Sequence, residues 1–346
     1  MPDKADVAIV GGGPGGLACA RHLARAGAKV LVLERKPGFG RKVCAGGITC
    51  NGLVPLVPPD LIERAFPVQH IFSPRQRAQV VEKQPVIATI NRERLGIWMA
   101  QQAADAGAML HTGVHALALT ESGLLVRDNA GAVRSLHCSH VVGADGARSV
   151  IRRALGLPSR LSIGLNAMLP VLREQMEWHL LPRLFASGYG WIFPHAKTTS
   201  VGAFTDGNLI SGKRLQRNLH IWAAAQGIEL GNASIQAGWV NYEYRGLCFG
   251  RRWLVGDAAG LSSALTGEGI YPAVLSGEAV ATMILSNTMP PELKPLIKRH
   301  QRHRQLAQLA GRGRVVPALL AELFLLLLRL RAVDFHHLEM VTSSTG

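Results

Sequence analysis

The sequence predicts an α/β protein, α+β overall, with a Rossmann-like nucleotide-binding domain, an inserted antiparallel-sheet domain and a C-terminal helical tail. Three short apolar stretches that each run into glycine, at 5–10, 141–142 and 253–255, indicate strands of the first domain. Alternating apolar and polar residues at 163–172 and 201–205 indicate the inserted sheet. Helical spacing of apolar residues predicts the tail.

The N-terminal stretch has the order strand, glycine turn, helix and strand, at 5–10, 11–16, 17–26 and 29–33, and it ends on Glu34. This is the βαβ unit of a dinucleotide-binding fold. A glycine-rich sequence is also compatible with an ordinary βα turn, but here the flanking elements and the acidic residue are all in register. The unit by itself fits FAD and NAD equally.

Each glycine of the turn has a distinct physical role. Gly11 allows the tight turn, Gly13 lets the backbone approach a pyrophosphate, and Gly16 lets helix and strand pack closely. The helix N-terminus directs free N–H groups at the phosphates. Glu34 is placed to accept hydrogen bonds from a ribose.

Composition describes a globular protein with a sizeable core, since 48% of its 346 residues are hydrophobic and 18% are charged. Its cysteines are odd in number and lack a CxxC pair, so we expect a reducing compartment and neither disulfides nor zinc. We find no signal peptide and no run of about eighteen apolar residues, which predicts a cytoplasmic protein, either free or peripheral to the inner face of the membrane. The cysteines are Cys19, Cys44, Cys50, Cys138 and Cys248.

The formal net charge of +15 favours an anionic partner. Aromatic residues make up only 5% of the chain and do not interleave with basic residues, so we expect no nucleic-acid partner. An anionic membrane surface, a phosphorylated substrate and a basic proteome remain as explanations.

Further elements follow from local pattern. Strand ends at Asp145-Gly146 and Gly256-Asp257 form the second and third strong motifs, and residues 266–270 open a helix that ends near Ser286. The other predicted elements are a loop at 35–49, a strand at 86–90, a helix at 95–106, a β pair at 109–120 and 123–127, a hairpin turn at 128–131 and a helix at 213–226.

Seven stretches in a fixed order carry a family resemblance. They are GGGPGG near residue 11, ADGARS near 144, GDAAG near 256, KVCAGGI at 42–48, NRERLGIWMA at 91–100, YGWIFP at 189–194 and LTGEGIYPAVLSG at 265–277. Over residues 5–286 the chain resembles FAD-dependent enzymes of the p-hydroxybenzoate hydroxylase type, and most of all the geranylgeranyl reductase family.

The resemblance implies a discontinuous FAD-binding domain at 1–75, 91–160 and 246–288, a substrate-binding sheet domain at 76–90 and 161–245, and a helical segment at 289–346. It also implies specific contacts: Arg92 with the flavin nucleotide, Val114 with the adenine, and Asp257 with the ribitol or pyrophosphate. The implied FAD-binding residues are Gly11, Gly13, Gly15, Gly16, Glu34, Arg35, Arg41, Cys44, Ala45, Gly46, Gly47, Arg92, Val114, Asp145, Gly146, Gly256, Asp257, Gly267, Gly269 and Ile270.

Cys44 is the candidate catalytic residue. Reduction of an isolated C=C bond needs a hydride on one carbon and a proton on the other, and a thiol beside the flavin could donate or position that proton. A small packing cysteine is the alternative.

Tyr189 and Trp191 are two residues apart on a predicted strand and therefore share a face. The resemblance implies that this pair lines a tunnel for an isoprenoid chain; ordinary sheet core is the alternative. His195 stands where family members often have lysine, which argues against a diphosphate-binding role there. The loop at 261–264 also lacks the acidic or proline residue of relatives.

Histidines of the first domain form no metal-ligand spacing, so we expect no metal. In the tail, basic residues precede an apolar stretch at 315–328, which suits docking on anionic lipid or, alternatively, closure of the substrate domain by the leucine helix. The histidines are His111, His115, His137 and His140, and the basic residues are Lys298, Arg299, Arg302, Arg304, Arg312 and Arg314.

The sequence therefore predicts an FAD-dependent oxidoreductase that reduces C=C bonds of an isoprenoid or other lipid-like substrate. NAD(P)H or a small redox protein would supply the electrons. No second dinucleotide βαβ unit is visible, so we expect NAD(P)H to dock transiently and not in a domain of its own. The alternatives are an FAD-dependent monooxygenase acting on an aromatic or polyketide substrate, a flavin halogenase, for which a suitable lysine is missing, and a non-catalytic flavoprotein.

Overall fold

The computed structural model describes residues 1–313 and 315–341. Arg314, which belongs to the predicted basic tail, lies outside the described residues, as does the last part of the predicted segment 289–346, residues 342–346.

The chain begins with the order strand, helix, strand; strands outnumber helices as far as Leu254, and helices follow from Gly256. The strands are β1 (Lys4–Val10), β2 (Val30–Glu34), β3 (Gly47–Thr49), β4 (Ile62–Phe66), β5 (Val68–Phe72), β6 (Arg77–Val81), β7 (Ile87–Ile90), β8 (Met109–Thr112), β9 (His115–Thr120), β10 (Gly123–Arg127), β11 (Val133–Gly143), β12 (Leu161–Leu169), β13 (Met176–His179), β14 (Tyr189–Pro194), β15 (Thr199–Asp206), β16 (Gln236–Asn241), β17 (Cys248–Phe249) and β18 (Arg252–Leu254). The helices are α1 (Pro14–Arg25), α2 (Arg92–Asp105), α3 (Val150–Ala154), α4 (Pro182–Phe185), α5 (Gly212–Ala225), α6 (Gly256–Ala259), α7 (Ile270–Ser286), α8 (Leu293–Ala310) and α9 (Val315–Arg329).

The first sheet has a parallel core in the order β18-β11-β1-β2-β8, with β17 antiparallel on one edge and the β9–β10 hairpin attached to β11. Its central strand is buried from Val7 to Val10, as expected where helices cover both faces. A Cβ on Gly16 would lie 2.1 Å from the Gly11 carbonyl oxygen, and one on Gly277 would lie 2.2 Å from the Gly15 carbonyl oxygen. These glycines let α1 pack tightly on both β1 and α7.

Two helices begin earlier than predicted. Pro14 occupies the first turn of α1, and its fixed φ suits that position. Asn91 caps α2, since its side-chain oxygen accepts the N–H groups of Glu93 and Arg94 at 3.0 and 3.1 Å. The hairpin turn predicted at 128–131 is confirmed between β10 and β11.

The second sheet has the order β16-β12-β15-β14-β13-β5-β6 and is antiparallel except for the β13–β5 pair. One face packs on α5, through Trp222 and neighbouring leucines. The other face carries Tyr189, Trp191 and Phe193, together with Leu325 of α9. The leucine helix therefore does pack on this sheet, as the second interpretation of the tail expects.

Strand pairing bears on the predicted domain limits. β5 falls within the stretch 1–75 assigned to the FAD-binding domain, yet it lies in the second sheet with β6. β7, assigned to the substrate domain, pairs with β3 and β4 in a small separate sheet. The division into the two domains stays a prediction, and the sheets place its first boundary nearer residue 67.

Candidate active site

A single continuous cavity of about 1060 Å³ joins the glycine turn to the aromatic face of the second sheet. Of the predicted FAD-binding residues, all line it except Gly16, which packs beneath the turn, and Gly46, which lies against His195. Tyr189 and Trp191 line it as well. The sequence-predicted site residues are thus brought together around one space.

The polar end of the cavity is formed by the ends of β1 and β2. Gly11 has φ +108, a value that glycine adopts without strain. The Glu34 carboxylate accepts the N–H groups of Gly12 and Lys36 at 2.8 and 2.9 Å. Val114 donates its N–H to the Glu34 carbonyl at 3.0 Å. This network holds the acidic residue at the edge where a ribose would lie.

Arg92 places a buried cation in the cavity wall. Its Nη1 atom is buried and has no hydrogen-bond partner among the described residues. Burial lowers the pKa of Arg92, and nearby Cys44 and Asp257 oppose that effect. A buried guanidinium with open donors fits a negatively charged group of a bound ligand, because leaving such a group unpaired is costly.

Asp257 is held by two partners. Its carboxylate lies 2.6 Å from Lys42 Nζ and also accepts the hydroxyl of Ser262. Only 6% of the side chain is exposed. Lys42 therefore ties the loop after β2 to the third motif, a contact that the sequence analysis did not foresee.

Asp145 leaves another buried polar atom without a partner, this time a hydrogen-bond acceptor. Its Oδ2 accepts the N–H of Val150 at 2.6 Å, whereas Oδ1 is buried without a partner among the described residues. Burial raises the pKa of this carboxyl group. The residues around the glycine turn thus leave both a donor and an acceptor open, and the donor set fits FAD with its phosphates, hydroxyls and flavin edge.

Cys44 lies in a loop fixed at several points. Its Sγ accepts the N–H of Gly46 at 3.3 Å, and Asn166 donates to its carbonyl at 3.3 Å. His195 is 4% exposed and bonds the Ala45 carbonyl through Nε2 at 3.0 Å and the Glu63 carboxylate through Nδ1. A buried histidine that positions this loop is consistent with the expectation that His195 does not bind diphosphate.

The start of α7 faces the same space. Gly267 has φ +71, and Gly269 caps the helix without a side-chain hydrogen bond. The first N–H groups of an α-helix have no partner within the helix. The positive end of α7 is therefore available to an electron-rich edge of a ligand.

Glu268 is the residue that sequence reasoning missed, although its motif was recognised. Its carboxylate accepts the Met340 N–H at 2.8 Å and the Thr49 hydroxyl at 3.4 Å. Burial raises its pKa to about 7, and the neighbouring Glu339 adds to the shift. An acid that holds its proton near neutral pH lines the cavity between the glycine motif and the C-terminal segment.

The apolar end is lined by aromatic side chains that alternate along β14. Tyr189 and Trp191 share a face, with ring centroids 6.1 Å apart, as the spacing predicted. The Tyr189 hydroxyl donates to the Thr266 carbonyl at 2.5 Å, and Trp191 Nε1 donates to Ser200 Oγ at 2.9 Å. Burial raises the pKa of Tyr189, with Cys44 and Glu268 contributing in the same direction. The aromatic wall lies next to the Cys44 loop, since Ala45 packs against the same cluster of aromatic side chains.

One group of potential metal ligands is present among the described residues, formed by Glu82, Asp334 and His336. None of the three lines the cavity. The histidines of the first domain are not part of it, and the expectation of no metal stays a prediction. None of the described helices is both long and apolar enough to cross a membrane.

Comparisons with known proteins agree with this geometry. Residues 4–285 match a family model described as an FAD binding domain. The chain is 32% identical to digeranylgeranylglycerophospholipid reductase 2 of Methanothermobacter thermautotrophicus over 82% of its own length and 79% of that protein. It is 27% identical to the chloroplastic geranylgeranyl diphosphate reductase of Nicotiana tabacum, over 82% of its own length and 66% of that longer protein.

A solved structure shares the architecture. A geranylgeranyl bacteriochlorophyll reductase-like protein from Thermoplasma acidophilum superposes with a TM-score of 0.82 at 25% identity, covering 94% of this chain and 92% of that one.

Proposed function

The chain belongs to the geranylgeranyl reductase family of FAD-dependent oxidoreductases, and on that premise we propose that it saturates C=C bonds of an isoprenoid lipid. The observation that carries the proposal is the continuity of the cavity from the glycine turn, past Cys44, to the aromatic wall of β14. A cofactor seated at the polar end and an apolar chain at the other end would meet at the Cys44 loop.

FAD would be held by this chain's own groups in a defined order. The glycine turn would take the pyrophosphate, Glu34 the adenosine ribose, and Arg92 and Asp257 the remaining polar atoms. The N-terminus of α7 would stabilise negative charge on the flavin edge. Once reduced by the electron donor, FAD bound there would supply the hydride that an isolated double bond requires.

The apolar wall serves the reaction by excluding water. Tyr189, Trp191 and Phe193 are each less than a tenth exposed. An isoprenoid chain lying against them would lose contact with solvent, which favours binding in proportion to the apolar area buried. The named relatives act on geranylgeranyl groups, which supports an isoprenoid chain as the substrate here.

Cys44 would supply the proton. One carbon of the double bond receives the hydride, and the neighbouring carbon takes H⁺ from the thiol, so that C=C becomes HC–CH and the thiolate is reprotonated from solvent. Hydrogen bonds from Gly46 to Sγ and from Asn166 to the Cys44 carbonyl hold the loop in place for that transfer. Positioned proton donors contribute rate factors of about 10²–10⁴.

The electron donor would be NAD(P)H docking transiently or a small redox protein. Within residues 1–313 and 315–341 we find one glycine-turn βαβ unit, the one that would hold FAD. Comparing the rates at which NADH, NADPH and a reduced ferredoxin reduce the holoprotein distinguishes the two kinds of donor.

An anaerobic turnover assay tests the proposal. The holoprotein, reduced with dithionite, is incubated with geranylgeranyl diphosphate or with a digeranylgeranyl glycerophospholipid, and products are analysed by mass spectrometry. We expect two hydrogens to be added for each double bond reduced. Unchanged lipid, together with NAD(P)H oxidation that requires oxygen and an aromatic acceptor, would instead establish the monooxygenase alternative.

A further inference from the structure

Helix α9 carries apolar residues on the side that the rest of the protein does not cover. Its inner side, with Pro317, Ala321, Leu325 and Leu328, is buried. The outer side is a stripe with spacings of four and three residues, which is one face of an α-helix. The leucine stripe consists of Val315, Leu319, Leu323, Leu326 and Leu330, which are 67%, 63%, 50%, 43% and 66% exposed.

The leucine stripe borders the apolar end of the cavity. Leu323 of the stripe and Leu306 of α8 both line the cavity, and each is 50% exposed. Each of the two side chains thus contributes to the cavity wall and also contacts solvent. Leu320 and Leu327, beside the stripe, continue the lining inward. The wall of the cavity therefore reaches the protein surface between α8 and α9, next to the exposed leucines.

Exposed arginines flank the stripe. Arg312 precedes α9, Arg329 is its last residue, and Arg331 follows shortly after. Arg75 and Arg77 belong to the β5–β6 hairpin, which packs on the helix. None of the five forms an ion pair with another described residue. The acidic residue of the helix, Glu322, is already occupied by the hydroxyl of Ser73 at 2.9 Å and the N–H of Arg75 at 3.0 Å.

Two basic residues of α8 bind other parts of this chain, whereas the sequence suggested anionic lipid as their partner. Arg304 pairs with the buried Glu243 at 2.8 Å, and Arg299 donates to the carbonyls of His337 and Val341 at 3.0 and 3.3 Å. These two basic residues hold the fold together. Lys298 and Arg302 of α8 are exposed and, like the five arginines around α9, form no ion pair with another described residue.

We propose that the leucine stripe is a docking surface for an anionic lipid bilayer, and that an isoprenoid lipid enters the cavity from that bilayer at Leu306 and Leu323. The substrate class in this statement rests on the proposed function; the docking surface itself does not. An apolar stripe flanked by cations suits the plane between headgroups and acyl chains. A second copy of the chain is disfavoured as the occupant, because it would bring two rims of unpaired arginines together.

Vesicle flotation of the full-length holoprotein without substrate tests the docking surface. Vesicles of phosphatidylcholine with phosphatidylglycerol are compared with phosphatidylcholine alone. We expect binding to the anionic vesicles only, and a more than tenfold lower bound fraction for the double variant L319Q/L326Q, neither of whose residues lines the cavity. The matched control is I97Q/I221Q, which changes two exposed apolar residues on α2 and α5, 56% and 54% exposed.

Three results would overturn the proposal. They are equal flotation of L319Q/L326Q and wild type, equal binding to neutral and anionic vesicles, and a soluble dimer that L319Q/L326Q dissociates while vesicle binding is absent. Turnover of a detergent-dispersed substrate by L319Q/L326Q is expected to match wild type. A protein that floats as expected but reduces no isoprenoid would contradict the proposed function and leave the docking surface standing.

Discussion

The carboxylate of Glu268 accepts the backbone N–H of Met340, 2.8 Å away, and so fastens the C-terminal segment to the wall of the cavity. The same segment is held from α8, where Arg299 donates to the carbonyls of His337 and Val341. Phe335 and Leu338, within this segment, line the cavity. The C-terminal segment is thus part of the site.

Replacing Glu268 with glutamine should alter the pH dependence of stability. Folding raises its pKa from 4.5 to about 7, because burial favours the uncharged carboxyl group. The contribution of this group to stability is therefore fully present below pH 4.5 and is lost as the pH rises through 7. Glutamine still accepts the Met340 N–H and does not titrate. We expect E268Q to be more stable than wild type at pH 8 by about 3 kcal/mol, with little difference at pH 4.

Thermal unfolding across that pH range measures the effect. E174Q is the control, because Glu174 is an exposed acid whose side chain is 84% accessible. Parallel pH profiles for E268Q and wild type would show that Glu268 does not carry the pH dependence.

Substitutions at two glycines of the turn should have distinct effects, one on stability and the other on FAD binding. A Cβ on Gly13 would meet nothing closer than the Ala144 carbonyl oxygen at 4.0 Å, whereas one on Gly16 would lie 2.1 Å from the Gly11 carbonyl oxygen. We expect G16A to lose roughly 1–3 kcal/mol or more through overpacking. G13A should fold like wild type and bind FAD about 10–100-fold more weakly, because its methyl group occupies the path of the pyrophosphate.

Apo-protein melting and fluorescence titration with FAD distinguish the two effects. If G13A bound FAD as tightly as wild type, the pyrophosphate would have to lie elsewhere than over Gly13.

Local pattern explains why much of this site could be predicted. The βαβ unit depends on residues close in sequence, and the shared face of Tyr189 and Trp191 follows from the two-residue period of a strand. The domain limits depend instead on the parallel pairing of β13 with β5, in which Met176 lies opposite Gln69. No local pattern specifies such a pairing.

The same reasoning applies to individual side chains. A charge count does not say which arginines pair, so Arg304 could not be assigned to the buried Glu243 from sequence. The bonds of His195 to Glu63 and of Glu268 to Met340 join residues far apart in the chain. In each case tertiary packing decides the role of a residue whose type alone is uninformative.

Substitution of Cys44 by alanine should slow the chemical step without releasing FAD. Its thiol lies in the cavity wall with its loop fixed by Gly46 and Asn166, so a methyl group can replace it without moving the backbone. We expect anaerobic single-turnover rates to fall by about 10²-fold or more, as for loss of a general acid. C50A is the control, since burial raises the pKa of that thiol to about 11 and it does not line the cavity. Wild-type turnover by C44A with FAD bound would remove Cys44 from the mechanism.

Two tryptophans on opposite faces of the second sheet give a matched test of the apolar wall. Trp191 lines the cavity, whereas Trp222 packs from α5 on the other face and does not. Both are nearly buried, at 5% and 1% exposure, so phenylalanine removes a similar volume at each position. W191F should raise KM for a long isoprenoid substrate several-fold, because part of the apolar contact area is lost, with kcat little changed. W222F should leave KM unchanged, and equal KM values for both variants would place the isoprenoid chain away from β14.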